Sequence, residues 1–333
     1  MSKISVGLRE ILDNKQNYII NGNFDFWQRG TSFTAIADND YSADRWQAKL
    51  SGATANMTRE SFTENQTDVP NFPKYFLRYA VTTSNDNARI EHKIEDARTL
   101  AGDVCSLSFW AKGTNPNGGV LRIVLDRNYG GSIDYGIAET HTLVLTSSWQ
   151  KFDFTFNVPT IPSGKSWTED SYLSVRIGSG SDTSTNAWTL DLAQVMLNEG
   201  PNPANFSRAG GTIGGELALC QRYYQKSYNL TTVPGTSQVS GSYQTNIIRN
   251  TSSLNNWSIA FGVRMRGTPD VDMYSTDGTG PDNYYNEDTG PATSPAATIS
   301  DEGETGFTAG PTIGTDQNQA DRIRFHWTAD AEL

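Results

Sequence analysis

The sequence predicts an all-β protein, and three observations support this fold class. Thr, Ser, Asn and Gly are abundant whereas Lys and Leu are sparse, a composition that favours strands and turns over helices. Through most of the chain hydrophobic and polar residues alternate with a period of two, which marks strands that have one buried face. With 333 residues, 36% of them hydrophobic and 11% aromatic, the chain is long enough to bury two cores.

Residues 1–16 have the spacing of a short helix. Ile4, Leu8 and Ile11 recur at intervals of four and three residues, which places them on one helical face. A helix of this length is not stable alone. We therefore predict that this segment serves attachment or oligomerisation, either in a bundle with sister chains or on a larger assembly.

Residues 17–206 are predicted to form a β-sandwich of the jelly-roll type. The run WQKFDFTFNV alternates three phenylalanines and a valine with polar residues, and VCSLSFWAKG, VLRIVLDR, KYFLRYAV, ARIEHKIE and YLSVRIGS alternate in a similar way. Gly, Pro and Asn cluster between these runs, and no helical pattern separates them. Many short strands joined by turns are typical of two packed sheets.

The stretch NYIINGNFDFWQRGTSF, Asn17 to Phe33, combines aromatic rings with amide side chains. A sugar site needs these residue types, but a strand end can have the same composition. We interpret the stretch as the opening strand and turn of the sandwich. Trp27 and Phe33 are expected to seal a core or a subunit contact, while Gly22 and Gly30 permit turns.

Residues 207–228 are predicted to form a linker and a connecting helix, and residues 229–333 a second, smaller β domain. The helix is placed in GELALCQRYYQKSY, Gly215 to Tyr228, because its apolar residues recur at helical spacing. Strands are predicted in NWSIAFGVRMRG and DRIRFHWTADAEL because both alternate. Between them residues 274–315 are rich in Gly, Pro, Asp, Ser and Thr, and we expect long exposed loops there.

The net charge of −11 is concentrated in the last part of the chain. Residues 1–266 hold 24 acidic and 24 basic residues, whereas residues 267–333 hold 13 acidic and 2 basic ones. Because nucleic-acid binding needs basic patches, we expect no nucleic-acid partner. No run approaches the ~20 apolar residues of a membrane helix, and the first residues lack a secretory pattern. We therefore expect a soluble protein that is not exported and not inserted in a membrane.

The sequence contains no diagnostic catalytic or metal-binding motif. Cys105 and Cys220 are too few for a disulfide framework, and the three histidines show no metal-ligand spacing. Carboxylates are numerous enough to supply a glycosidase pair, but none has a diagnostic spacing. Gly-x-Ser-x-Gly and His-Glu-x-x-His are both absent. We predict a protein without catalytic residues, metal or cofactor, with glycan hydrolysis as the enzymatic alternative.

Three loops have the composition of a carbohydrate-binding site. Aromatic rings stack on the C–H face of a pyranose, and nearby amide, carboxylate and Arg side chains bind its hydroxyl groups. DRNYGGSIDYG, SGKSWTEDSY and GPDNYYNEDTG contain both kinds of residue. The structural alternative for each aromatic residue is that it closes the end of a sheet. The candidate carbohydrate-binding residues are Arg127, Tyr129, Asp134, Tyr135, Trp167, Glu169, Tyr284 and Tyr285.

Several motifs together resemble a family of phage and prophage tail proteins. They are NYIINGNFDFWQRGTSF with YSADRW, then ELALCQRYYQKSY, VRMRGTPDVDMYSTDG and the terminal FHWTADAEL, in the family's order and across residues 17–333. Members are regarded as tail-fibre, tail-tip or related virion proteins with a domain like a carbohydrate-binding module. The resemblance does not include residues 1–16, which in such modular proteins would attach to the virion.

The resemblance implies a homotrimer on the virion surface that contacts other virion proteins through its N-terminus. It implies non-covalent recognition of a host-surface glycan, with two alternatives: a capsid, neck or baseplate decoration protein with an assembly role only, and a glycan-degrading depolymerase. Carbohydrate-binding modules of this general shape often hold a structural calcium near their first and last strands. The matching oxygen donors would be Asn23, Asp25 and Asp191, fewer than the six to eight that calcium takes.

Overall fold

The computed structural model describes residues 16–83, 87–116, 120–130, 139–179, 187–246, 256–288, 290–291, 297–311 and 322–333. In this part of the chain the secondary structure is β-strand except for one helix, so the predicted all-β class is confirmed. The jelly-roll assignment stays a prediction. The predicted N-terminal helix, with Ile4, Leu8 and Ile11, lies outside the described residues.

The chain divides into two compact units. The first comprises residues 1–27, 31–217 and 333, and the second comprises residues 28–30 and 218–332. The division at residue 217 falls inside the segment that was expected to connect the domains. The predicted domain boundaries themselves stay a prediction.

Two antiparallel sheets form the described part of the first unit. The strands in chain order are β1 Ser32–Phe33, β2 Trp46–Leu50, β3 Thr54–Ser61, β4 Tyr75–Thr83, β5 Ala88–Glu95, β6 Val104–Thr114, β7 Leu121–Asn128, β8 Glu139–Leu143, β9 Gln150–Asn157, β10 Tyr172–Gly178 and β11 Trp188–Glu199. One sheet has the order β1-β3-β4-β11-β6-β9 and the other β2-β5-β10-β7-β8.

Both sheets contribute to one hydrophobic core. Leu107 and Phe109 of β6 and Ile123 and Leu125 of β7 are buried in the same cluster, as the alternation of these strands requires. Trp27 belongs to this cluster. The ring of Trp27 therefore serves the core rather than an exposed site.

The strand β11 carries a bulge that fixes the opening stretch. It pairs with β4 on one side and with β6 on the other, and its register against β6 shifts between Ala193 and Met196. Within the bulge Gln194 has φ +50°, and the Val195 N–H donates to the Gly22 carbonyl at 2.8 Å. A bulge releases residues from the ladder and re-aims them. Here the released amide holds the Gly22 turn against the sheet.

An ion network lies on the face of the five-stranded sheet opposite the core. Arg176 of β10 donates to Glu91 at 2.6 Å and to Asp126 at 2.8 Å, and Gln47 donates to Glu91 at 2.5 Å. Burial raises the pKa of Asp126, although the neighbouring Arg176 opposes that shift. The network leaves both buried carboxylates with hydrogen-bond partners, which buried charges require.

The second unit is also built from antiparallel strands. Helix α1, Ile213–Gln221, leads into it, followed by β12 Tyr224–Lys226, β13 Tyr243–Asn246, β14 Trp257–Ala260, β15 Asp270–Ser275, β16 Tyr285–Asn286, β17 Gly290–Pro291, β18 Ala297–Gly303, β19 Gly306–Pro311 and β20 Arg322–Asp330. Strand β20 pairs with β12, β13, β15 and β16, while β14, β19 and β18 form a three-stranded sheet. Trp257, Phe325 and Trp327 lie in its core.

Two expectations about this unit are wrong. The helix predicted to reach Tyr228 ends at Gln221, because residues 224–226 pair with β20 and consecutive tyrosines fit a pleated strand. Residues 274–315 are not only exposed loops, because four strands lie within them. Alternation there is short and interrupted by Gly and Pro, yet Phe307 and Ala309 are buried.

We expect the substitution Gly22→Ala to destabilise the protein. A Cβ atom at this position would lie 2.1 Å from the Val195 carbonyl oxygen, and the backbone atoms of the bulge would have to move. Overpacking of this kind costs about 1–3 kcal/mol. Urea unfolding measures the effect, with Gly214→Ala of α1 as the control, since nothing lies within 4 Å of that position. Equal stability of Gly22→Ala and the native protein would contradict the close packing.

We expect the unfolding free energy to fall as the pH drops below about 6.5, the ordinary pKa of histidine. His92 and His326 are buried, and burial lowers the pKa of each. The unfolded chain then binds protons that the folded chain does not, at about 1.4 kcal/mol per pH unit for each histidine.

Urea unfolding between pH 7.5 and 6.0 checks this expectation. In the native protein the His92 Nε2 contacts the Ile20 carbonyl at 3.1 Å, and the variant His92→Gln keeps a side-chain N–H for this carbonyl. The unfolding free energy of the variant should decrease less over this pH range than that of the native protein. An identical decrease of the unfolding free energy in both proteins would show that His92 does not contribute to the pH dependence.

Candidate functional site

The loop SGKSWTEDSY places Trp167 and Glu169 at the surface of the first unit. The Trp167 side chain is 41% exposed, and the Arg98 guanidinium lies 5.4 Å from its ring centroid. Arg98 itself is paired with Asp96. A cation therefore already lies against the ring, and the 41% exposure is the part of Trp167 that Arg98 and its other neighbours leave open.

Arg127 and Tyr129 are buried, so neither offers an exposed surface for sugar stacking. Arg127 follows Leu125 by two positions on β7 and shares its core-facing side, where its Nη1 donates to the Pro159 carbonyl at 3.0 Å. The Tyr129 ring is 5% exposed. Alternation along β7 turns Arg127 inward, and Tyr129, which directly follows this strand, is buried as well.

The two tyrosines predicted in the C-terminal loop differ in their exposure. Tyr284 is buried in the core of the second unit, and this burial removes its ring from ligand contact. Tyr285 is partly exposed but belongs to β16, where it pairs with Arg324 of β20. The remaining predicted residues, Asp134 and Tyr135, lie outside the described residues.

Two of the three predicted calcium donors, Asp25 and Asp191, are paired with arginines. Asp25 accepts from Arg208 at 2.9 Å, and Asp191 accepts from Arg78 at 2.7 and 2.8 Å. No group of three or more His, Cys, Asp or Glu residues suited to a metal occurs in the described part of the chain. Each carboxylate is neutralised by an arginine, which removes the negative charge that would attract the ion.

A groove that the sequence did not predict lies on the outer face of the six-stranded sheet. It consists of two depressions of about 400 and 470 Å³ that share four lining residues, within the usual size range of ligand pockets, about 300–1,000 Å³. We call the two together the sheet groove. The shared residues are Asn71, Gln194, Asn205 and Phe206.

The loop between β3 and β4, residues 62–74, forms one wall of the sheet groove. The Gln194 amide at the β11 bulge donates to the Pro70 carbonyl at 2.7 Å and holds the loop on the sheet. Asn71 and Phe72 follow with φ +60° and +47°, a left-handed conformation that few non-glycine residues adopt. This backbone presents the Phe72 side chain to solvent, 69% exposed.

Aromatic rings and amides line the sheet groove together. Trp110 projects from β6 on the side opposite the core residue Phe109, and Phe72 and Phe206 come from the surrounding loops. The amides of Asn71 and Asn205 lie beside them. Rings of this kind can stack on the apolar face of a ring-shaped ligand, while amides donate to and accept from its hydroxyl groups.

The polar end of the sheet groove, Asn23, Asp25 and Arg208, is held by its own hydrogen bonds. The Asn23 Nδ2 donates to the two Asp25 oxygens at 3.2 and 3.3 Å, and the Asp25 Oδ2 accepts from Arg208. The Asn23 Oδ1 is buried and has no donor among the described residues. Because its Nδ2 is committed to Asp25, this oxygen is fixed as an unsatisfied acceptor.

The chemistry of the sheet groove suits binding rather than hydrolysis. Among its described lining residues Asp25 is the one carboxylate, and it is paired with Arg208. Glycoside hydrolysis needs two carboxyl groups across the scissile bond. The one sequence feature that marks this region is the run VPNFPK, where a phenylalanine lies close to two prolines in an otherwise polar loop; no prediction from the sequence rested on it.

No helix in the described part of the chain combines the length and the apolar composition needed to cross a bilayer. No known family model matches the sequence, and no curated protein matches it.

Several solved structures show a distant likeness. The N-terminal cellulose-binding domain of Cellulomonas fimi β-1,4-glucanase C is 18% identical over 53% of this chain and 98% of its own, with a TM-score of 0.32. A family 11 carbohydrate-binding module of a Clostridium thermocellum cellulase is 12% identical over 52% and 98%, with a TM-score of 0.30.

The enzymatically active domain of tailspike protein 4 of bacteriophage CBA120 is 14% identical over 55% of this chain and 21% of its own, with a TM-score of 0.34. This chain thus spans about a fifth of the tailspike structure. Because each TM-score is below 0.5, the function of this chain has to be argued from its own residues.

Proposed function

We propose that this chain binds a glycan non-covalently in the sheet groove. The observation that carries the proposal is Phe72, which is 69% exposed on a left-handed backbone and lines the same depression as Phe206. A strained backbone that exposes a large apolar ring is costly, and such features concentrate where a ligand binds. The ring gains a partner when a pyranose stacks on it.

The amides around these rings supply the second half of sugar recognition. Asn71 and Asn205 line both depressions of the groove, and Gln194 lies between them with its Nε2 bound to the loop. Hydroxyl groups of a sugar donate to amide oxygens and accept from amide N–H groups. Rings and amides together favour a polyhydroxylated ring over a purely apolar ligand.

We place this binding on the surface of a phage virion, in a homotrimer. The support is the resemblance of residues 17–333 to phage tail proteins, together with the apolar seam of Ile4, Leu8 and Ile11. The N-terminal segment would attach the chain to other virion proteins, and the ligand would be a host-surface glycan. Three linked copies raise the effective affinity, so weak individual sites suffice for adsorption.

We expect Phe72→Ala to weaken glycan binding at least fivefold, about 1 kcal/mol, which is the scale of a ring that contributes measurably at an interface. The ligand is first identified on an array of microbial polysaccharides, and the dissociation constant is then measured by isothermal titration calorimetry. Because the side chain is exposed, urea unfolding should show unchanged stability.

Trp167→Ala is the matched control, since it removes another exposed aromatic ring from the same unit. Its dissociation constant should stay within twofold of the native value. If Trp167→Ala weakens binding and Phe72→Ala does not, the ligand binds at the SGKSWTEDSY loop and the sheet groove is not the site. Failure of the native protein to bind any polysaccharide would contradict the proposed function.

A further inference from the structure

We infer that the glycan bound in the sheet groove is acidic and carries carboxylate or phosphate groups. This inference rests on the proposed function and adds the chemical class of the ligand. Its basis is the charge of the residues that line the groove, which differs in sign from the charge of the chain. The chain as a whole carries −11, whereas the groove is lined by more cations than anions.

The cations of the sheet groove are Lys74, Arg208 and Lys151, and the anion among its described lining residues is Asp25. Glu64 lines a separate depression that is also bordered by Phe72 and Lys74; it forms no ion pair with Lys74 among the described residues and does not line the groove. Arg208 is paired with Asp25 and Lys151 with Asp153, so the positive charge that remains in the groove is that of Lys74. An acidic protein with a cationic groove attracts anionic ligands to that groove and repels them elsewhere.

Lys74 is the cation that a ligand can use most directly. It is exposed, it lines the same depression as Phe72, and it has no carboxylate partner among the described residues. Its ammonium lies 5.0 Å from the Tyr75 ring centroid. By contrast, Lys151 is paired with Asp153 at 3.0 Å. An unpaired ammonium beside an exposed ring fits a sugar that carries an acidic group.

The polar end of the groove provides two further contacts for such a sugar. Asp25 engages the Arg208 guanidinium through Nε and Nη2, and about a third of the Arg208 side chain remains exposed. A guanidinium has five donors, so it can pair with Asp25 and still face a ligand. The Asn23 Oδ1, in a residue that is 6% exposed, has no donor among the described residues, and a hydroxyl or N–H group of a ligand can donate to it.

The test uses the full chain on an array of neutral, uronic-acid-containing and phosphate-containing microbial polysaccharides. We expect binding to acidic members and at least tenfold weaker binding to their neutral forms. Carboxyl reduction of uronic acids and enzymatic removal of phosphate distinguish the two sources of charge. Binding should weaken between 50 and 200 mM NaCl, because ionic contacts are screened.

Lys74→Gln should weaken binding to the acidic polysaccharide at least fivefold and leave binding to its neutral form unchanged. Lys49→Gln, on β2 of the other sheet, changes the net charge equally and should have no effect. Preference for neutral polysaccharides, or equal binding by Lys74→Gln, would overturn this inference and leave glycan binding intact. Absence of binding to every polysaccharide would overturn both proposals.

Discussion

The sheet groove depends on the bulge at Gln194 and Val195 in β11. In a regular strand both residues would continue the ladder with β6, but the register shift releases them. The Gln194 amide then binds the Pro70 carbonyl, and the Val195 N–H binds the Gly22 carbonyl. One irregularity in the longest described strand therefore fixes both the loop with the exposed ring and the segment that forms the polar end.

The outer faces of the two sheets in the first unit differ in whether their charged groups are paired. The outer face of the five-stranded sheet is occupied by the buried network of Arg176, Glu91 and Asp126, whose charges satisfy one another. The outer face of the six-stranded sheet instead leaves a ring and an ammonium exposed, at Phe72 and Lys74. Charges that are already paired with one another have little hydrogen-bonding capacity left for a ligand. Exposed rings and unpaired charges, in contrast, form new favourable contacts when a ligand binds.

The structural features that depend on hydrophobic periodicity could be predicted from the sequence. Alternation predicted β4, β5, β6, β7, β9 and β10 of the first unit and the inward side of β6 and β9, because side-chain direction follows directly from a period of two. The candidate rings at Tyr129 and Tyr284 are buried, which composition alone could not show because it does not tell which side of a strand end faces the core. The groove was missed because a bulge and a left-handed Phe72 arise from tertiary contacts between β11 and a loop more than a hundred residues earlier.

Hydrogen–deuterium exchange of the full chain, with and without its bound polysaccharide, tests most directly that the sheet groove is the binding site. A bound ligand slows the hydrogen exchange of backbone amides in the segments that it contacts and stabilises. Protection is expected in residues 62–74 and 205–211, and none is expected in the loop at 163–171 that carries Trp167. Protection confined to residues 163–171, with unchanged exchange in residues 62–74, would contradict the account.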